Sequence, residues 1–101
     1  MAKTSAVEKN KRRAKMAERL GPKRKALKAI IMSKDTPIEE RFRAQLKLAK
    51  MPRNSARIRV RNRCEVSGRP RGFYRKLKMS RIALRDLGAK GQIPGIVKSS
   101  W

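Results

Sequence analysis

Arg63-Cys64-Glu65-Val66-Ser67-Gly68-Arg69-Pro70-Arg71-Gly72-Phe73-Tyr74-Arg75-Lys76, followed by Ser80-Arg81-Ile82-Ala83, is the stretch that decides how this chain folds. Positions 64, 67, 80 and 83 have the spacing C-x2-C-x12-C-x2-C, which holds a zinc ion when all four residues are cysteine. Only Cys64 is a cysteine here; Ser67, Ser80 and Ala83 occupy the other positions. The frame of a zinc ribbon is therefore present without its metal. It sits among arginines, and that combination points to RNA rather than to catalysis.

The surrounding composition agrees. The chain has 101 residues, at most one ordinary domain, with 30 Lys plus Arg, 7 Asp plus Glu, no His and a formal charge of +23. Leu, Ile, Val and Phe together number 20, a share that with so high a charge lies on the boundary of disorder. Holding so many like charges in a compact body costs self-repulsion, which a polyanion removes. The chain is thus expected to be poorly ordered alone and to take its shape on a partner. Residues 1–35 carry a net +9, residues 36–50 a net +2 and residues 51–101 a net +12, so the charge is no mere tail. One cysteine forms no internal disulfide, and no apolar signal core or membrane span is evident. A cytosolic home is the simplest expectation, with an organellar one left open.

The expected fold class is mostly α with irregular extended segments. Residues 1–51 read as a basic helical extension. A first helix covers 4–20, with a thin stripe of Val7, Ala14, Ala17 and Leu20, and Gly21-Pro22 is expected to stop it. A second helix covers 23–32. Thr36-Pro37-Ile38-Glu39 reads as a capping box opening a third, so that 23–50 forms a helical hairpin. Its small core is expected to join Ile38, Phe42, Leu46 and Ala49 to Leu27 and Ile30. Residues 52–101 form an arginine-rich, zinc-ribbon-like module lacking the metal. Within it, Arg57, Arg59, Arg61 and Arg63 alternate with Ile58, Val60 and Asn62, and an extended backbone projects all four arginines from one side. Ser80 is expected to cap a helix over about 81–90 that buries Ile82 and Leu87 and exposes Arg81 and Arg85, with Gly91 near its end. The tail from Gln92 to Trp101 reads as extended.

Enzymology has little to work with. Without histidine the usual neutral-pH general base is missing, and Cys64, although beside Arg63, has no partner to take its proton. One cysteine supplies too few soft ligands for a metal, so no cofactor is expected. Gly68-Arg69-Pro70-Arg71-Gly72-Phe73-Tyr74-Arg75-Lys76 instead suits RNA, with guanidinium planes for phosphates and an aromatic face for bases. Phe73 divides evenly between core and RNA, whereas Tyr74 is assigned to RNA. The candidate helices lack a polar groove-reading face for DNA, and helix 4–20 lacks the apolar face of a membrane-active peptide. The expected RNA-binding residues are Arg53, Arg57, Arg59, Arg61, Arg63, Arg69, Arg71, Tyr74, Arg75, Lys76, Arg81, Arg85, Lys98 and Trp101.

The run from Pro52-Arg53-Asn54-Ser55 through the Gly68–Phe73 loop, Ile93-Pro94-Gly95 and Lys98-Ser99-Ser100-Trp101 closely resembles the bacterial small-subunit ribosomal protein S-fourteen family. The Met1-Ala2-Lys3-Thr4-Ser5 start is similar to its longer form. In that family, shorter members keep four cysteines and bind zinc, whereas longer members carry a helical insertion and have lost them. The resemblance implies a zinc-free structural component of the small ribosomal subunit. It also implies a place in the subunit head on the three-prime major domain of the rRNA, beside the neighbours S-three and S-ten. No membrane or small-molecule substrate is expected.

Overall fold

The computed structural model describes residues 1–99, so Ser100 and Trp101 lie outside the described residues. Three helices dominate: α1 (Thr4–Met32), α2 (Ile38–Lys50) and α3 (Arg81–Ala89), with a two-stranded antiparallel ribbon, β1 (Phe73–Tyr74) and β2 (Met79–Ser80). The chain divides into two compact units, Glu8–Val60 and Met1–Val7 together with Arg61–Trp101.

The expected break at Gly21-Pro22 does not occur. α1 runs unbroken for 29 residues with Pro22 inside it. Proline forfeits one helical hydrogen bond and crowds the preceding turn, but its fixed φ suits a helix. The flanking Lys, Arg, Ala, Leu, Glu and Met residues are strong helix formers, and here they carry the helix across. α1 buries no side chain completely.

α2 starts one residue later than a capping box at Thr36 requires. Its N-cap is Pro37, which makes no side-chain capping bond, and the Pro37 carbonyl accepts from Arg41 N at 3.1 Å. Glu39 and Glu40 still stand in the first turn, and Lys47 and Lys50 in the last, as the helix dipole favours. The expected core of the hairpin is also corrected. Ala44 is the buried residue of α2, while Ile38 (80%), Phe42 (63%) and Leu46 (48%) stay exposed, as does Ile30. α2 is instead tied to α1 by Arg41 Nε, which donates to the Ile31 carbonyl at 3.0 Å. Ala44 lies three residues on from Arg41, on the same side of the helix.

After Met51, the backbone alternates between single extended residues and 3-10 turns, Arg53–Ser55 and Arg57–Arg59, hinged at Ala56 (φ −73°, ψ 124°). The expected extended comb therefore fails over its first half. Ser55 N closes on Pro52 O, Ala56 N on Arg53 O, Arg59 N on Ala56 O and Val60 N on Arg57 O. Two arms from α1 hold the first turn: Arg13 Nε donates to Asn54 Oδ1 at 3.3 Å and Arg24 Nη1 to Ser55 Oγ at 3.0 Å. Arg13 and Arg24 are eleven residues apart, close to three helical turns, and so share a face.

The other unit folds around a short loop. Phe73 pairs with Ser80 and Tyr74 with Met79, and Lys78, at φ 54°, closes the connection by donating from its N–H to Tyr74 O at 2.7 Å. α3 begins as expected: Ser80 Oγ accepts from Ala83 N at 3.2 Å. It ends in a Schellman arrangement, with Gln92 N donating to Leu87 O and Gly91 N to Gly88 O, and Gly91 left-handed at φ 69°. Its buried residue is Ala83, not Ile82, which is 47% exposed; Leu87 is half-buried. Ala83 is the residue whose N–H meets the buried Ser80 hydroxyl. The tail is not fully extended either. It turns at Pro94-Gly95, where Gly95 has φ 78°, the signature of a type II turn.

The buried set is small: Ala44, Cys64, Gly68, Ala83, Ser55 and Ser80 among the described residues. The chain leaves 8970 Å² accessible. A globular monomer of 11.6 kDa exposes about 5,800 Å². A core this thin gives little hydrophobic stabilisation against the self-repulsion of the charge.

Candidate RNA interface

The four positions of the degenerate zinc frame converge. Cys64 is buried, and Ser67 N donates to its Sγ at 3.4 Å. Burial pushes the thiol up, but hydrogen bonds from the Ser67 hydroxyl and N–H and from the backbone and hydroxyl of Ser80 outweigh it, so the thiol falls from 9.0 to about 6. Ala83 meets the same group through its N–H on Ser80 Oγ. One sulfur, two hydroxyls and a methyl do not fit a metal, which needs more soft donors than this set offers. Hydrogen bonds hold the positions together where thiolate–metal bonds hold a zinc site.

The loop next to this cluster is fastened at several points. Cys64 N donates to Arg69 O (3.0 Å), Gly68 N to Cys64 O (2.8 Å) and Glu65 N to Lys78 O (3.1 Å). Gly68 lies at φ 77°, and a Cβ there would stand 2.9 Å from Val7 Cγ2 and 3.1 Å from Ala2 Cβ. Ala2 N in turn donates to Ser67 O at 3.2 Å. The start of the chain is thus packed against the loop. Gly72 O accepts from Arg81 N at 2.7 Å, and the Arg81 stem lies against Gly72.

The expected RNA-binding residues sort by what holds them. In the unit containing this loop, Arg61 Nε donates to Pro70 O (3.2 Å), Arg63 Nη1 to Gly68 O (3.0 Å) and Arg69 Nε to Arg71 O (3.2 Å). Arg63 is half-buried, and its Nε is buried with no partner among the described residues. These three arginines shape the loop. Arg71, Tyr74, Arg75, Lys76, Arg81, Arg85 and Lys98 are exposed around it; Tyr74 is 50% exposed and Phe73 half-buried. Arg75 and Lys76 occupy the tip of the ribbon, and Arg81 and Arg85 stand one turn apart on α3. Arg53, Arg57 and Arg59 are exposed in the other unit, on the 3-10 turns. Trp101 lies outside the described residues.

Sequence reasoning missed three features. Arg13 and Arg24 are fasteners for the Asn54-Ser55 turn, hidden in what reads as a uniformly solvated basic run. The 73–80 ribbon is too short for a period-2 pattern to show. The exposed Ile38, Phe42 and Leu46 carried a signal, the balanced charge around them in so basic a chain, that their helical spacing overrode.

Among the described residues no helix is long and apolar enough to cross a membrane, and no three His, Cys, Asp or Glu residues are grouped to hold a metal ion. The family described as "Ribosomal protein S14p/S29e" matches residues 47–100. A protein of Mesorhizobium japonicum named "Small ribosomal subunit protein uS14" is 76% identical over 101 residues, spanning the whole of both chains. Proteins of the same name from Brucella ovis and Brucella melitensis biotype 1 are 72% identical, also over the full length of both. A basic loop built on a metal-free frame, and relatives this similar from end to end, lead to one assignment: the chain belongs to the ribosomal protein S14p/S29e family.

Proposed function

We propose that this protein is a structural, non-catalytic constituent of the cytoplasmic small ribosomal subunit that binds its rRNA. The observation that carries the reading is full-length identity of 76% to a small-subunit ribosomal protein. The charge of +23 and the exposed cations around the Cys64 loop support it physically. Arg71, Arg75, Lys76, Arg81 and Arg85 neutralise phosphates that converge on the loop and on α3, while Tyr74 stacks on a base or sugar. Arg53, Arg57 and Arg59 supply a second set of phosphate contacts. Arg61, Arg63 and Arg69 hold the loop in the shape that presents the others. Lys98 and Trp101 extend the contact from the tail.

At finer grain, residues 52–101 act as a zinc-ribbon-like module in which the Cys64–Ser67–Ser80–Ala83 cluster replaces the metal. Residues 1–51 form the helical extension. The site is the subunit head, on the three-prime major domain, with S-three and S-ten as neighbours. Ultraviolet cross-linking of the tagged protein in cells, with sequencing of the attached nucleic acid, tests this. Cross-links concentrated in the three-prime domain of small-subunit rRNA are expected. Cross-links scattered over DNA or unrelated RNAs overturn it.

A further inference from the structure

The ribosomal reading leaves one surface unexplained. Ile38, Phe42 and Leu46 recur every four residues along α2, so they form one stripe, and all three are exposed (80%, 63% and 48%). The opposite side of the helix is occupied, by buried Ala44 and by Arg41 on the Ile31 carbonyl. Met32, just across the connection, is 71% exposed as well. Aliphatic and aromatic groups aligned this way and left in water mark an interaction face.

The charge around the stripe says what kind of partner fits. Across residues 33–46, three basic and three acidic side chains cancel, in a chain whose net charge is +23. Two of those acids, Glu39 and Glu40, stand in the first turn of α2 beside Ile38. A phosphate-lined surface repels such carboxylates and offers no match to Ile38 or Leu46. We propose that the Ile38–Phe42–Leu46 face of α2 docks on a protein of the small subunit, one presenting an apolar groove rimmed by lysine or arginine that meets Glu39 and Glu40. Anchors at i, i+4 and i+8 are the register of a helix laid in a groove. The chain then faces RNA with its arginines and a protein with this charge-balanced segment. This proposal rests on the ribosomal reading.

A photo-reactive benzophenone amino acid placed at position 42 of the full chain tests it, in cells, with small subunits then purified and cross-linked peptides mapped. The dominant product is expected to join position 42 to one other ribosomal protein, at a peptide carrying aliphatic or aromatic residues next to Lys or Arg. Glu39→Lys with Glu40→Lys should lower its yield about fivefold, the scale of an exposed ion pair, while the same reversal at the exposed Glu18 of α1, Glu18→Lys, leaves it unchanged. Phe42→Asp with Leu46→Asp, at exposed positions that the fold does not bury, should keep the far-ultraviolet circular dichroism and reduce occupancy in purified subunits. Cross-links to rRNA, to a second copy of the chain, or to nothing, in a chain that still co-sediments with the subunit, overturn the docking face and leave the ribosomal reading intact. A chain that fails to co-sediment overturns both.

Discussion

The backbone N–H of Ser67 donates to the sulfur of Cys64 at 3.4 Å, and with the donors of Ser80 it draws the thiol down to about 6 against the opposing effect of burial. A lowered acid contributes stability that is complete above its unfolded value and lost as pH falls through its folded one. The Cys64 contribution is therefore expected in full above about pH 9, to shrink on acidification, and to be gone below about pH 6. Thermal midpoints measured across that window, with thiolate absorbance followed in parallel, check it. Cys64→Ser should remove this part of the pH dependence.

Three glycines should respond differently to alanine. Gly68 is left-handed, and its new Cβ would clash with Val7 and Ala2, so Gly68→Ala is expected to lower stability by about 2–3 kcal/mol. Gly91 is left-handed in open space, and its substitution should cost about 1–2 kcal/mol. Gly21 is helical with nothing within 4 Å, and Gly21→Ala should stabilise by about 0.5–1 kcal/mol. Thermal melts of the three variants supply the ranking; a stabilising Gly68→Ala contradicts the packing described.

Pro22→Ala should raise helicity more than Gly21→Ala, because it restores a missing hydrogen bond inside α1 as well as a better helix former. Far-ultraviolet ellipticity of the full-length variants decides. Unchanged ellipticity in both would indicate that the helix is interrupted there.

Binding to small-subunit rRNA should weaken steeply with salt, with a log–log slope near −6 to −7 for about eight phosphates. Arg75→Gln with Lys76→Gln should make that slope shallower by about 1.5. Arg63→Gln should act elsewhere: it loses the bond to the Gly68 carbonyl, so the melting midpoint falls while the slope stays near its original value. Titrations at several salt concentrations, paired with melts, separate the two roles.

Much of this was legible in the residues, and the failures share a physical cause. Ser80 announces the start of α3 and Gly91 its end because caps and left-handed turns are local, settled by one or two side chains. The Cys64 frame was visible as a spacing. Local rules also misled. Gly21-Pro22 reads as a stop, but helix formers on both sides outweigh it. The Arg57–Arg63 alternation reads as extended backbone, but its first half closes into a 3-10 turn over Arg57–Arg59, with Val60 N donating to Arg57 O. The stripe on α2 has helical spacing, which tells that a face exists and not what covers it. Which arginines fasten the loop and which are presented depends on where carbonyls such as Pro70 and Gly68 point, and no spacing rule encodes that.

The contact of Ala2 with Ser67 has a bearing on the order of events during synthesis. One compact unit draws on both Met1–Val7 and the segment beginning at Arg61, whereas the other, Glu8–Val60, is contiguous. The contiguous unit can form while the rest of the chain is still being made. The first residues must wait, untied, until the 64–69 loop has emerged, and closing a loop of that length then costs about 3–4 kcal/mol of chain entropy. The unit that carries the Cys64 loop thus closes after the contiguous one.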